Sequence, residues 1–184
     1  MYHGVIGAGV EEGKDAEDQV KERVDEQRFD EQRLDQQLCF ALYAASRAVV
    51  RTYAPLLAPE GLTYPQYLTM LVLWENPDLP VSVGELGRRL HLDSGTLTPL
   101  LKRLESMGIV HRRRDTSDER RVLVALTEGG LALRGRLAWV PRHLARSVGM
   151  ELADVCRLRD QLTDLIGILE AGSTADRFEN RPTA

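Results

Sequence analysis

The most reactive side chains in this sequence are two cysteines, Cys39 and Cys156. A thiol becomes a strong nucleophile when it ionises, and a nearby donor or positive charge favours the thiolate and lowers its pKa. A thiolate can attack a peroxide O–O bond, becoming a sulfenic acid as an alcohol leaves. Cys39 stands four residues before Tyr43, so a helix places both on one face. Tyr53, fourteen residues on, returns to nearly that face but ~21 Å further along the axis. Within one straight helix it cannot reach Cys39. A second copy whose helix runs antiparallel about a two-fold axis would bring the two together. The plainer role for Cys39 is a small packing residue on an amphipathic helix, where free cysteines are common. Cys156 flanks a stripe of Val155, Leu158 and Leu162 rather than lying in it, which leaves its thiol accessible.

A second set of side chains suits phosphate. The chain has a net charge of −4, but residues 1–38 hold eleven acids and five bases, whereas residues 84–121 hold nine bases and six acids. An acidic protein can therefore still present one basic face. That face carries Lys102 and Arg103 close after Ser94, Thr96 and Thr98, then Arg112, Arg113, Arg114, Arg120 and Arg121. Other chemistries find little support. The histidines (His3, His91, His111, His143) are scattered without metal-ligand spacing, so no metal site is expected. No glycine-rich phosphate loop follows a strand, no Ser–His–acid set can be argued, and no cofactor is implied.

The elements that position these residues are mostly helices. A chain of 184 residues, with 28% charged and 43% hydrophobic composition, is one soluble domain with extensions. Its apolar runs fall far short of the ~20 residues of a membrane span, and its N-terminus is no secretory signal. Two cysteines make no disulfide framework, so the expected location is the cytoplasm, with no membrane partner. Residues 1–33 read as an acidic, mobile tail. Leu38, Leu42, Val49, Tyr53 and Leu56 predict a helix over 34–58, ending before Pro59 and Gly61. Thr63 and Gln66 open another helix, with Pro65 in its first turn, running to Asn76. Ser82 and Glu85 form a capping box for a short helix. After a turn at residues 91–93, a helix runs over 94–107 and closes at Gly108; Pro99 within it predicts a local distortion. Residues 109–114 and 121–126, around a charged loop, predict a β-hairpin. Thr127 and Glu128 start a helix reaching Pro141 or beyond, with a weak point at that proline. A last helix follows Gly149, and residues 172–184 read as a disordered tail.

Two helices joined by a three-residue turn and followed by a hairpin form a winged helix-turn-helix. The segment DERRVLVALT at 118–127 resembles the wing signature of the MarR family of transcriptional regulators. With LCFALY at 38–43, LTYPQY at 62–67 and LDSGTLTP at 92–99, the chain resembles the organic-hydroperoxide-sensing branch of that family. The resemblance covers roughly residues 34–169. It implies a mainly α fold with a small β-hairpin wing, a DNA-binding part at about 62–127, and dimerisation helices at about 34–58 and 127–171.

The resemblance also assigns roles. The second helix of the motif enters the major groove, offering Ser94, Thr96 and Thr98, with Lys102 and Arg103 at base or phosphate. Arg120 at the hairpin tip enters the minor groove, held by Asp118 and beside Arg121. Cys39 is the peroxidatic thiol, and tyrosines matching Tyr53 and Tyr64 hydrogen-bond the thiolate of the other subunit, with Tyr43 nearby. Cys156 is the candidate resolving cysteine, although it stands later than the family's resolving position, and a small thiol capping Cys39 is the other route. The implied protein is a homodimeric repressor of a palindromic double-stranded operator, released when organic hydroperoxide oxidises Cys39. Two other readings stay open: a repressor released by a small aromatic or phenolic ligand, with Cys39 only packing, and a thiol peroxidase enzyme. The basic segment argues against the enzyme.

Overall fold

A computed structural model of the chain describes residues 33–179. The acidic segment read as a mobile tail lies outside the described residues, apart from its last position, Arg33. The backbone divides into two compact units between Arg51 and Thr52.

The first unit holds a 3-10 turn, Leu34–Gln36, and most of helix α1, Leu38–Leu57. Most of its large apolar side chains stay in solvent: Leu34 and Leu38 are each 61% exposed, Phe40, Tyr43, Val49 and Val50 are also exposed, and Leu42 is half-buried.

The second unit contains the core. Helix α1 ends in a 3-10 turn, Ala58–Glu60, which Gly61 closes in the left-handed region at φ 67°. Helix α2, Tyr64–Glu75, starts at a capping box. Gln66 Oε1 accepts from the Thr63 N–H at 2.8 Å, and Pro65 sits where its missing N–H costs nothing. Strand β1, Val81–Ser82, leads into α3, Val83–Leu90, and then α4, Ser94–Ser106. The hairpin is β2, Val110–Arg114, and β3, Val122–Leu126, paired antiparallel from Val110 opposite Leu126 to Arg114 opposite Val122. The expected mainly helical winged helix-turn-helix is the observed fold. β1 also pairs with β3, so the sheet has three strands in the order β1-β3-β2. Two residues are too short a run to show alternation in sequence.

The core joins Leu57, Tyr67, Met70, Leu73 and Trp74 to Leu86 of α3 and to Leu97, Leu101 and Leu104 of α4. Val110 and Val124 cover it from the sheet. Leu133, Leu137 and Val140 close it. The Trp74 indole N–H donates to the Gly130 carbonyl at 2.9 Å across this core. Gly130 has no room for a side chain: a Cβ there would overlap the Ile109 carbonyl and press on Leu126 Cδ2. The fit anchors the start of α5, Glu128–Leu137, beneath the hairpin.

The helix expected to weaken at Pro141 is two helices, α5 and α6, Val140–Val148. The break falls at residues 138–139, upstream of the proline. The Pro141 ring would clash with the carbonyl four residues back, that of Leu137, so α5 stops there and Pro141 takes a place in the first turn of α6. Helix α7 spans Leu152–Glu179, past Ala171, where the sequence reading ends it. Val155, Leu162 and Leu165 are half-buried, whereas Leu158, Ile166, Ile168 and Leu169 are exposed. Among the described residues, no helix is long and apolar enough to cross a membrane.

Candidate functional site

The helix-turn-helix is built by local hydrogen bonds. Ser82 Oγ accepts from the Glu85 N–H at 3.2 Å and starts α3. The turn closes when the Leu92 N–H donates to the Gly87 carbonyl at 2.9 Å. Gly87 is required there, because a Cβ would stand 2.9 Å from the Leu92 carbonyl oxygen. His91 takes the left-handed conformation, φ 52°, at a cost of roughly 1–2 kcal/mol for a residue with a Cβ. Asp93 then caps α4, accepting from the Thr96 N–H at 2.8 Å and the Thr96 hydroxyl at 3.1 Å. Those bonds hold the Asp93 carboxyl below its ordinary range, the backbone bond first.

The candidate reading residues share the exposed side of α4. Ser94, Thr96, Thr98, Lys102 and Arg103 are all exposed. The two threonine hydroxyls already donate within the helix, Thr96 to Asp93 and Thr98 to the Ser94 carbonyl at 2.7 Å. Toward a base edge each is therefore left as an acceptor. The helix runs continuously across Pro99, which only deprives the Gly95 carbonyl of a partner.

The hairpin arginines fall into distinct groups. Glu105 near the end of α4 accepts three bonds from Arg112: from its main-chain N–H at 3.0 Å, from Nε at 2.9 Å and from Nη2 at 2.6 Å. These bonds depress the Glu105 pKa, the guanidinium contribution being largest. Arg112 is thus a strut between α4 and β2. Arg121 Nη1 lies 3.7 Å from Asp115 Oδ2, and Arg114 Nη1 donates to the Glu119 carbonyl at 3.2 Å. Among the described residues, Lys102, Arg103, Arg113, Arg114 and Arg120 have no carboxylate within ion-pair distance. Asp118 is bonded to Arg120 through the main chain: its Oδ1 accepts from the Arg120 N–H at 3.1 Å, which shapes the tip and leaves the guanidinium in solvent. Asp115 builds the other side, accepting from the Ser117 N–H and hydroxyl; these bonds lower its pKa. A groove of about 1060 Å³, lined by Val83, Arg88, Ser94, Thr98, Arg112 and Arg120, runs between the helices and the hairpin.

The cysteines are free thiols, Cys39 exposed and Cys156 half-buried. In the first unit, Tyr43 is exposed and its hydroxyl accepts from Arg47 Nη1 at 3.2 Å, with that guanidinium 5.5 Å from the ring centroid. In the second unit, Tyr53 and Tyr64, the two candidate thiolate donors, come together with ring centroids 4.5 Å apart. The buried Tyr67 ring joins them at 5.8 Å from Tyr53. Burial pushes the Tyr53 pKa up to about 12, helped by its two tyrosine neighbours, and raises Tyr64 and Tyr67 as well. Phenols are protonated at neutral pH at their ordinary pKa, and the upward shifts keep all three so to higher pH, able to donate. Among the described residues, no group of His, Cys, Asp and Glu could hold a metal ion.

Sequence reasoning missed the Glu105–Arg112 strut, the ring contact of Tyr67, and a bond from His91 Nδ1 to Glu170 Oε1 at 2.8 Å. The strut had a signal, an acid and a base seven residues apart across a helix-to-strand turn. The His91–Glu170 bond spans 79 residues and had none.

Comparison with known proteins places this arrangement. A family model described as transcriptional regulator SarA/Rot matches residues 51–133. The chain is 52% identical over 140 residues to the HTH-type transcriptional regulator TtmR of Methylorubrum extorquens, covering 75% of this chain and 71% of that protein. It is 44% identical over 133 residues to the organic hydroperoxide resistance transcriptional regulator of Bacillus subtilis, covering 72% and 89%. Among solved structures it is similar to AbfR of Staphylococcus epidermidis, with TM-score 0.64, 36% identity and coverage of 77% and 96%. AbfR has been solved reduced and bound to DNA, overoxidised and bound to DNA, and with a disulfide formed.

Proposed function

Because this chain belongs to the MarR family of winged helix-turn-helix transcriptional regulators, we propose that it is a homodimeric repressor that holds a palindromic operator while Cys39 is reduced and leaves it when an organic hydroperoxide oxidises Cys39. The observation that carries this reading is the Tyr53–Tyr64 pair: two adjoining, half-buried phenols, ring centroids 4.5 Å apart, form a donor pair suited to a thiolate. The thiolate they serve is the partner subunit's Cys39. The exposed apolar side chains of α1 and α7 favour the dimer, with about 34–58 and 127–171 as its helices and about 62–127 as the DNA-binding part.

The chemistry balances in two steps. The Cys39 thiolate attacks one peroxide oxygen; an S–O bond forms, the O–O bond breaks, and the alkoxide leaves as alcohol with a proton. The sulfenic acid then condenses with a second thiol, either Cys156 or a small-molecule thiol, forming S–S and releasing water. A relative that is DNA-bound when overoxidised and also has a disulfide form favours the second step as the one that moves helices. Base and phosphate contacts fall to Ser94, Thr96, Thr98, Lys102 and Arg103 on α4 and to Arg120 on the wing, with Asp118 and Arg121 shaping the tip.

The test is fluorescence anisotropy on the gene's own upstream DNA, before and after one equivalent of an organic hydroperoxide and again after a thiol reductant. Wild type should lose the DNA and regain it, and Cys39→Ser should ignore the oxidant. Release of Cys156→Ser that requires a small-molecule thiol present during oxidation assigns the second step to that thiol. Wild-type protein that keeps its DNA through oxidation overturns the redox reading and turns the search to small aromatic ligands.

A further inference from the structure

The turn of the helix-turn-helix holds a side chain that the turn itself does not need. Its closure uses the main-chain bond from Leu92 to Gly87, and its exit is capped by Asp93. His91 between them is the one non-glycine residue with positive φ among the described residues. Glycine would adopt that conformation with less strain and would make the same backbone bonds. The imidazole instead reaches across the fold to Glu170 on α7, Nδ1 to Oε1 at 2.8 Å. Glu170 follows Ile166, Ile168 and Leu169, which are exposed on the same helix.

We propose that His91 is a positioning residue whose bond to Glu170 ties the reading turn to α7 and so sets how α4 is presented to DNA. An ordered tie at the turn restricts the start of α4, where Ser94 and Thr96 stand. The other end lies on the helix that the dimer reading assigns to subunit contact, so a shift of α7 is passed to the reading helix through a short, directional bond. The inference rests on the DNA-binding part of the function proposed above and needs none of its redox chemistry. Both side chains are more than half exposed, and exposed pairs are individually weak. The effect on binding is accordingly modest, about threefold for each variant.

The experiment uses the reduced full-length protein with His91→Gly, Glu170→Ala, the double variant and Glu170→Gln. Operator affinity is read by anisotropy, Tm by calorimetry, and hydrogen exchange at the Leu92 amide without DNA. His91→Gly should weaken operator binding about threefold while Tm holds or rises, because glycine relieves the left-handed backbone. Glu170→Ala should weaken binding equally, and the double variant no further. Glu170→Gln, which keeps an acceptor, should stay near wild type. Leu92 exchange should quicken about threefold in Glu170→Ala. Losses that multiply in the double variant overturn the tie, as does Glu170→Ala with unchanged Leu92 exchange. Wild-type protein that fails to bind DNA would instead refute the repressor reading, and the exchange result would still decide the tie.

Discussion

Arg120 and Arg112 are both wing arginines, and the structure gives them different surroundings. The Arg112 guanidinium is bonded to Glu105, whereas that of Arg120 has no carboxylate partner among the described residues. Each phosphate neutralised by a basic side chain releases counterions, and log K falls against log salt with a slope of about −0.9 per contact. A dimer with two wings loses two such contacts in Arg120→Ala, so its slope should be shallower than wild type by about 1.8. Between 50 and 200 mM salt, wild type should then lose roughly tenfold more affinity than the variant. Arg112→Ala should give a line displaced to weaker binding but parallel to wild type within about 0.5, since it removes a strut and no phosphate contact. Its Tm should fall, because the end of α4 and the start of β2 lose their link. Anisotropy titrations at four salt concentrations supply the slopes. The reasoning fails if Arg112→Ala flattens the slope as much as Arg120→Ala, or if Arg120→Ala leaves the slope unchanged.

Gly130→Ala should cost about 3 kcal/mol, because the added Cβ overlaps the Ile109 carbonyl. By calorimetry that is a Tm drop of roughly 6–12 °C, and an unchanged Tm would mean α5 shifts freely. Trp74→Phe removes the donor to the buried Gly130 carbonyl and should cost about 1–2 kcal/mol in urea unfolding. The folded pKa of Glu105 is depressed below its ordinary 4.5, so its contribution is complete above that value and is lost as pH falls through the lower folded value. Glu105→Gln should therefore flatten the acid limb of the Tm–pH curve, and an unaltered limb would remove the strut from the account. Tyr53 shifts the other way, up to about 12 from 10.0. Its contribution is complete below pH 10 and is lost as pH rises through 12, so Tyr53→Phe should flatten the alkaline limb in denaturant titrations.

The parts of this fold that could be read in advance are those that local chemistry decides. The capping box at Thr63 and Gln66, the Ser82 cap, and Gly108 after α4 fall where their side-chain chemistry requires. The hairpin followed from β-rich runs on either side of a charged loop. The features that escaped notice depend on partners distant in sequence or on short elements. β1 is a strand only because Val124 and Leu123 offer their backbone to Val81 and Ser82. The helix break was expected at Pro141 itself, but the clash acts four residues upstream, and α5 ends accordingly. Among the candidate site residues, the exposed side of α4 could be anticipated from helix periodicity, whereas the ring contact of Tyr53 with Tyr64 joins two helices and had no signal in spacing. Which arginines are free to meet DNA could not, because sequence shows charge and hides pairing. Asp118 illustrates this: its expected hold on Arg120 runs through the main chain and leaves the guanidinium in solvent.

That distinction bears on how a regulator with a net charge of −4 can favour one DNA site. If every base in residues 84–121 met a phosphate, binding would be governed by the sequence-independent counterion effect, which holds any duplex. Arg88 is instead neutralised by Glu85, Arg89 by Glu75 and Arg112 by Glu105. The first pair lies within α3, the second ties α3 to α2 and the third ties α4 to β2, and together they withdraw positive charge from the protein surface. Lys102, Arg103, Arg113, Arg114 and Arg120 remain without a carboxylate partner among the described residues, all on α4 or the hairpin. A rigid frame with few free cations lowers affinity for arbitrary sequence and makes binding depend on α4 and the wing fitting their grooves together. Under the proposed function, a change in the dimer helices would then have little non-specific attraction to overcome in releasing the operator. On that proposal the internal acid–base pairs serve the switch as much as they serve the fold.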